Sequence, residues 1–172
     1  MANLYVMIGV PGSGKSTFLK ENFEGKENVK IVSRDAIRFS LVKPDEPYFS
    51  KENEVQVEFW REINKGLEEG KNVFVDQTSI TRASRKKLFK NVYGYNKCFA
   101  LVIATGLHDC IEQNQRRSGR ACVPTDVIEK MWNNYENPSL WEGFDAIFEC
   151  WSDGGIYLTA PLEFSANSLL TM

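Results

Sequence analysis

Apolar runs alternate with amphipathic and polar segments along this chain, and the alternation predicts strands that are joined by helices. Continuous apolar runs predict buried strands at 4–8, 29–33, 72–76, 98–103 and 145–150. A regular strand–helix alternation is typical of an open α/β sheet with right-handed crossovers. We therefore predict one α/β domain over residues 1–172, with 165–172 as a loose tail.

The segments between these runs predict the helices of the domain. Their expected positions are about 15–24, 33–42, 51–69, 81–91, 107–116 and 124–135. The third is the clearest, because apolar residues recur in it every four positions and predict a stripe that faces the core. The stripe consists of Val55, Phe59, Ile63 and Leu67. Residues 43–49 are predicted to form a loop that is long enough to shape a pocket.

The stretch from Gly9 to Ser16 fits the pattern G-x-x-x-x-G-K-[ST], and it lies between a predicted strand and a predicted helix, as that motif requires. Glycines let such a loop curl, so that its backbone N–H groups and the positive helix end can hold phosphate oxygens. Lys15 can reach the β- and γ-phosphates, and the Ser16 hydroxyl can bind Mg²⁺. The residues predicted to bind ATP here are Gly9, Pro11, Gly12, Ser13, Gly14, Lys15, Ser16 and Thr17.

Composition agrees with an ordinary globular domain and limits the site chemistry. Of the 172 residues, 42% are hydrophobic and 26% are charged. The N-terminus lacks a signal-peptide pattern and no stretch is long enough to span a membrane, so a cytoplasmic protein is expected. The net charge of −2 argues against a large nucleic-acid footprint, while a local basic cleft stays open.

The cysteines and the single histidine do not indicate a metal site. The spacing of Cys98, Cys110, Cys122 and Cys150 contains no C-x-x-C pair, which predicts core or incidental thiols. His108 is predicted to be a surface or helix-start residue. A general base in this protein is therefore expected to be a carboxylate.

Polar residues that follow the second strand supply the first candidates beyond the phosphate loop. Ligands of open α/β sheets bind beyond the carboxyl ends of the strands. Asp35 precedes Arg38 by one helical turn, so the carboxylate could accept a proton from a hydroxyl while the arginine holds an acceptor phosphate. An Asp that caps the helix and pairs with the Arg is an equally good interpretation.

Asp76 closes the third strand, where a carboxylate commonly holds Mg²⁺ through water, although Asp at a strand end also forms turns. Asp76 and Thr78 are also assigned to the acceptor side of the site. Later in the chain, Arg116, Arg117 and Arg120 lie in a Gly-containing connection and could stabilise charge on the transferred phosphate from a lid. A solvated basic loop is the alternative, and the sequence does not select one arginine.

The predicted helix at 81–91 carries a basic face, for which a solvated surface and a phosphate-binding role are equally good interpretations. The face consists of Arg82, Arg85, Lys86, Lys87 and Lys90.

Taken together, these motifs resemble the 5′-hydroxyl polynucleotide kinase family, a group of small P-loop kinases. The resemblance rests on the phosphate loop, on Ser33-Arg34-Asp35-Ala36-Ile37-Arg38, on Asp76-Gln77-Thr78-Ser79, and on Asn114-Gln115-Arg116-Arg117 ahead of Val123-Pro124. It implies a P-loop NTPase-type three-layer fold with about five parallel strands and an arginine-bearing lid. Ser79 stands where the family usually has Asn.

The resemblance also implies roles for individual residues. Asp35 would be the general base, Arg38 would hold the acceptor phosphate, and Arg117 would be the lid arginine on the donor phosphates. Lys15 and Ser16 would have their usual roles, with Arg120 as a further ATP contact. The expected activity is Mg²⁺-dependent transfer of the ATP γ-phosphate to a hydroxyl, foremost the 5′-OH of DNA or RNA. A small-molecule or nucleoside kinase and a nucleotide-binding regulatory protein are the alternatives.

Overall fold

The computed structural model describes residues 1–151 and 155–160, which form one mixed sheet with helices on both faces. The sheet has six strands in the order β2-β3-β1-β4-β5-β6. The strands are β1 (Leu4–Ile8), β2 (Val29–Ser33), β3 (Asn72–Asp76), β4 (Cys98–Ile103), β5 (Ala146–Cys150) and β6 (Ile156–Ala160). The predicted parallel arrangement is confirmed for β1 to β5, which pair in parallel throughout.

Six α-helices connect the strands in this part of the chain, close to the predicted positions. They are α1 (Lys15–Phe23), α2 (Arg34–Leu41), α3 (Glu52–Glu68), α4 (Arg82–Phe89), α5 (Leu107–Gln115) and α6 (Thr125–Asn133). Two short 3₁₀ helices, η1 (Gly119–Ala121) and η2 (Leu140–Glu142), lie in the connections. Side-chain caps fix two helix starts: Ser33 accepts from the Ala36 N–H and Thr81 accepts from the Ser84 N–H.

The two faces of the sheet carry separate apolar cores, which gives the predicted three layers. In β1, Leu4, Val6 and Ile8 point to one face and pack in a cluster with the stripe of α3. Tyr5 and Met7 point to the other face and pack with α1. The predicted stripe is confirmed, since Val55, Phe59, Ile63 and Leu67 are all buried.

Strand β6 is the one strand of the described residues that the apolar pattern did not predict. It pairs antiparallel with β5 at the sheet edge, from Cys150↔Ile156 to Ile147↔Ala160, with an irregularity between Ile147 and Phe148. An edge strand buries only part of its side chains, and its apolar signal is correspondingly weak. The predicted loose tail at 165–172 lies outside the described residues.

No helix within residues 1–151 and 155–160 has both the length and the apolar character needed to cross a membrane. The cysteine prediction is confirmed, because Cys98, Cys110 and Cys150 are buried free thiols and Cys122 is a half-buried one. The prediction for His108 is also confirmed: it lies in the first turn of α5 with its side chain 91% exposed.

Strand register brings the candidate residues to one edge of the sheet. The carboxyl ends of β1 to β4 meet there, with Ser33 of β2 opposite Asp76 of β3. The chain leaves β1 into the phosphate loop, residues 9–16, and the Gly9 N–H donates to the Thr78 carbonyl at 3.1 Å beyond the end of β3. This bond joins the phosphate loop to the segment that follows β3.

Candidate active site

The phosphate loop has backbone positions that only glycine suits. Gly12 and Gly14 have φ angles of +82° and +97°, in the left-handed region. A Cβ atom on Gly12 would lie 2.0 Å from the carbonyl oxygen of Cys110, so this glycine also permits close packing of the loop against α5. Thr105 holds the far side of the loop, because its Oγ1 donates to the Ser13 carbonyl at 2.8 Å.

Lys15 lies buried inside the loop, with only 8% of its surface exposed. Its Nζ donates to the carbonyls of Gly9 and Val10 at 2.8 and 2.9 Å, and to Ser13 Oγ at 3.3 Å. Burial lowers the pKa of Lys15 to about 8, while the nearby Asp76 carboxylate opposes that shift. The ammonium is thus held within the loop by oxygen acceptors that a phosphate oxygen could replace.

Ser16 and Asp76 form the oxygen-rich part of the site. The Ser16 hydroxyl, exposed in the first turn of α1, donates to Asp76 Oδ2 at 2.7 Å, while Asp76 itself is 8% exposed. A hydroxyl and a carboxylate oxygen are hard donors of the kind that Mg²⁺ prefers. The residues present therefore fit a magnesium ion. Thr17 follows on the exposed side of α1, and Pro11 is half-buried at the loop tip.

Asp35 and Arg38 form an ion pair on α2, beyond the end of β2. The Arg38 Nη1 donates to Asp35 Oδ1 at 2.5 Å, and the Asp35 side chain is 66% exposed while that of Arg38 is 7% exposed. Asp35 comes two residues after Ser33, which lies opposite Asp76 in the sheet. Asp76 in turn accepts from Ser16 of the phosphate loop. An accessible carboxylate therefore lies at the same edge of the sheet as the phosphate loop.

Sequence reasoning missed two residues that hold this pair. Glu52, the first residue of α3, accepts from Arg38 Nη2 at 3.0 Å and from the Arg34 guanidinium. Tyr48 accepts from Arg38 Nη1 at 3.1 Å and donates from its hydroxyl to Asp35 Oδ1 at 3.2 Å. Burial raises the pKa of Tyr48, which keeps its hydroxyl protonated as a donor. Arg38 Nε also donates to Glu52 Oε2 at 3.3 Å, so all three guanidinium nitrogens have partners. A phosphate role for Arg38 stays a prediction.

The three arginines of the predicted lid occupy different surroundings. Arg116 is exposed and pairs with Glu112 of its own helix at 2.7 Å. Arg120 donates to the Glu46 carbonyl and so ties η1 to the loop at 43–49. Arg117 is exposed, and its positive charge adds to the lowering of the Lys15 pKa, of which burial is the main cause. A contact of Arg117 with donor phosphates stays a prediction.

Arg85 differs from the predicted basic face of α4. It is fully buried, at 0% exposure, whereas Arg82, Lys86, Lys87 and Lys90 are exposed. Its guanidinium binds Glu142 with Nε at 2.7 Å and Nη2 at 2.9 Å, and Nη1 donates to the Ser79 carbonyl at 2.9 Å. Arg85 is therefore neither a solvated residue nor a phosphate ligand, and both interpretations were wrong for it.

The segment after β3 is shaped by these contacts. Ser79 has a φ of +46°, a left-handed conformation that is uncommon for residues other than glycine. Its hydroxyl is buried and has no hydrogen-bond partner among the described residues. The half-buried Thr78 gives its carbonyl to the phosphate loop, and its predicted acceptor contact stays a prediction.

A cavity of about 350 Å³ lies next to the phosphate loop, between β4 and α6. Gly9, Val10 and Ser13 line it from the loop, and Trp132 and Tyr135 line it from the α6 side. The sequence analysis did not identify this cavity, because its wall joins segments more than a hundred residues apart.

Comparisons with known proteins place this geometry among related folds. A chain in a structure of the Pnkp1/Rnl/Hen1 RNA repair complex is 22% identical with a TM-score of 0.65, over 95% of this chain and 50% of that one. A gluconokinase from Sinorhizobium meliloti 1021 is 19% identical with a TM-score of 0.56, over 92% of this chain and 84% of that one. These likenesses confirm the predicted P-loop NTPase-type three-layer fold.

A curated protein is also similar to this chain in sequence. The transcription factor bHLH140 of Arabidopsis thaliana is 27% identical over 160 residues, which are 88% of this chain and 16% of that protein. This chain therefore spans a small part of bHLH140 and half of the Pnkp1-complex chain. The profile of a family described as AAA domain (AAA_33) matches residues 4–138, from β1 to beyond α6. By that match, the chain belongs to the AAA domain family.

Proposed function

We propose that the protein is an ATP- and Mg²⁺-dependent kinase that phosphorylates a hydroxyl group, and that its acceptor is the 5′-OH end of DNA or RNA. The observation that carries the proposal is the accessible Asp35 carboxylate, fixed by Arg38 and Tyr48 beyond the carboxyl end of β2, at the sheet edge that also carries the phosphate loop. A regulatory nucleotide-binding protein has no need for a carboxylate fixed in this way.

Each step of the transfer has a residue that suits it. Asp35 takes the proton of the acceptor hydroxyl, whose oxygen forms a bond to the γ-phosphorus while the bond from that phosphorus to the β–γ bridging oxygen breaks and ADP leaves. Lys15 and Arg117 stabilise charge on the phosphate oxygens. Ser16 and Asp76 would hold the Mg²⁺ ion, which would supply further positive charge to those oxygens.

The nucleic-acid acceptor is supported by the fold likeness to a chain of an RNA repair complex and by the motifs of the polynucleotide kinase family. A small hydroxyl compound is the second candidate, because the gluconokinase has the same fold and the protein carries a net charge of −2. Both candidate activities would use the phosphate loop in the same way. They differ in the acceptor that would bind next to Asp35.

Transfer of labelled γ-phosphate from ATP tests the proposal, with 5′-OH DNA and RNA oligonucleotides set beside nucleosides and sugars. Labelling of oligonucleotides is expected, and Asp35→Asn should lower kcat by about 10²- to 10⁴-fold while ATP still binds. Asp126→Asn is a matched control, since Asp126 is 65% exposed and also pairs with a cation on its own helix. Full activity of Asp35→Asn would exclude Asp35 as the base, and labelling of small compounds alone would favour the second candidate.

A further inference from the structure

Three aromatic side chains gather beside the Asp35–Arg38 pair, where sequence analysis had predicted a pocket-forming loop. Phe39 follows Arg38 on α2, and Tyr48 and Phe49 end the loop at 43–49. Phe39 is 46% exposed and Phe49 is 67% exposed, which is unusual for phenylalanine on a globular surface. We call Phe39, Tyr48 and Phe49 the aromatic platform.

The rings of the platform pack on one another at fixed angles. Tyr48 lies edge-on to Phe49, with ring centroids 4.8 Å apart and an interplanar angle of 83°. Phe39 also lies edge-on to Tyr48, with ring centroids 6.1 Å apart and an interplanar angle of 64°. The Arg38 guanidinium lies against two of the rings, 4.8 Å from the Tyr48 centroid and 5.4 Å from that of Phe49. These contacts hold the rings in place without burying Phe49.

The loop that carries the platform is anchored at several points. Lys51 donates to the Leu41 carbonyl at 2.9 Å and pairs with Glu46 at 3.2 Å, which closes the loop across its base. Arg120 donates to the Glu46 carbonyl and so attaches the loop to the predicted lid. A ligand that stacked on the platform would therefore meet a surface that is already ordered, and the entropic cost of binding would be small.

The platform begins at the carboxylate of the proposed general base. The Tyr48 hydroxyl donates to Asp35 Oδ1 at 3.2 Å, so the Tyr48 ring lies next to the carboxylate that would accept the proton. A hydroxyl that reacts at Asp35 would thus bring the groups attached to it over the platform. A small polyol would fill the space at Asp35 and leave the outer ring of Phe49 without a contact.

From this juxtaposition we infer that the aromatic platform stacks a nucleobase of the acceptor, at or next to its 5′ end. The inference deepens the proposed function and rests on it. Exposed aromatic faces bind single-stranded nucleic acid by stacking on bases, with little dependence on sequence. Stacking contributes without added positive charge, which fits a protein whose net charge is −2. The substrate class is then a single-stranded 5′-OH end, because a paired terminal base is already stacked within its duplex.

The test compares an acceptor oligonucleotide with the same strand made abasic at its first two nucleotides. Phe49→Ala is expected to raise KM for the intact strand by about 10-fold, which corresponds to about 1.4 kcal/mol. It should leave KM for the abasic strand and kcat for both strands unchanged. If the substitution acted only by disturbing Arg38, both strands would lose activity equally. That result would overturn the stacking role.

Two further variants make the result specific. Phe49→Leu keeps apolar volume beside Arg38 but removes the ring, so it should behave like Phe49→Ala toward the intact strand. Trp141→Ala removes an aromatic side chain that is 99% exposed on η2 and is not part of the platform, so it should change KM for neither strand. An unchanged KM in both Phe49 variants would overturn the platform and leave the kinase proposal standing.

A binding assay separates failure of the inference from failure of the proposed function. An oligonucleotide with 2-aminopurine as its first base should lose fluorescence on binding the wild-type protein, and Phe49→Ala should reduce that quenching. The assay does not require phosphoryl transfer. Quenching that depends on Phe49, without labelling of the oligonucleotide, would support the platform. It would refute the proposal that the 5′-OH end is the acceptor of the kinase. Labelling without such quenching would overturn the platform alone.

Discussion

Replacing Arg85 by alanine is expected to lower the free energy of unfolding by about 3–5 kcal/mol, the usual cost of removing one partner of a buried ion pair. The estimate applies because the Arg85 side chain is 0% exposed and its partner Glu142 is 14% exposed. The alanine variant would leave the Glu142 carboxylate without its bidentate partner. It would also leave the carbonyls of Ser79 and Glu136, which accept from Arg85 Nη1 at 2.9 and 3.0 Å, short of a donor.

Thermal and urea unfolding would measure the loss. For a domain of this size, each kcal/mol corresponds to about 2–4 °C, so the expected fall in Tm is about 6–20 °C. Lys86→Ala is the control, because Lys86 is the exposed neighbour on the same helix and should change stability by less than about 0.5 kcal/mol.

A double-mutant cycle identifies the cause of the destabilisation. Glu142→Ala should also be costly, since it leaves a buried guanidinium unpaired. The double variant should lose about 1–3 kcal/mol less stability than the two single variants added together. The reason is that it leaves neither an unpaired carboxylate nor an unpaired guanidinium in the interior. Additive losses, or an Arg85→Ala protein as stable as Lys86→Ala, would refute this account of the pair.

Two further predictions concern the phosphate loop. Affinity for ATP, measured by titration calorimetry, should fall by up to about tenfold per pH unit above pH 8, because Lys15 loses its charge as pH rises through its pKa of about 8. Lys15→Arg should bind ATP with little pH dependence over that range, and an equally steep fall would assign the titration to another group. Gly12→Ala should abolish ATP binding, since its Cβ would lie 2.0 Å from the Cys110 oxygen. Gly25 is the control position, because it has a similar φ of +79° but an added Cβ would have no atom within 4 Å. Gly25→Ala should therefore lower the free energy of unfolding by about 1–2 kcal/mol and keep ATP binding. Equal ATP binding by Gly12→Ala and Gly25→Ala would contradict the steric argument.

Much of the fold follows from patterns that are local in sequence. The five parallel strands and α3 were predicted because continuous apolar runs and a four-residue repeat each report burial directly. The phosphate loop was also predicted from a local pattern, since its chemistry depends on consecutive residues between one strand and one helix. Strand β6 was missed because half of an edge strand faces solvent and its apolar pattern is weak.

The rest of the site depends on contacts between distant segments. Arg85 was grouped with the exposed cations of α4 because a sequence gives no sign that Glu142, 57 positions later, lies against it. Similarly, Tyr48 and Glu52 lie in or beside a loop whose path the sequence did not define, although they hold Arg38 and Asp35 together. Helical spacing predicted the Asp35–Arg38 pair itself, but only the structure shows that the arginine is enclosed and the carboxylate exposed.

The substitution at Ser79 shows how such contacts change the meaning of a sequence difference. The resembling family usually has Asn here, and its absence could suggest that an acceptor contact is lost. However, Ser79 adopts a φ of +46°, and Asn is one of the few residues that tolerate this left-handed conformation. The Ser79 carbonyl also accepts a hydrogen bond from the buried Arg85. Position 79 therefore has a backbone role in this chain, and the serine does not by itself argue against a nucleic-acid acceptor.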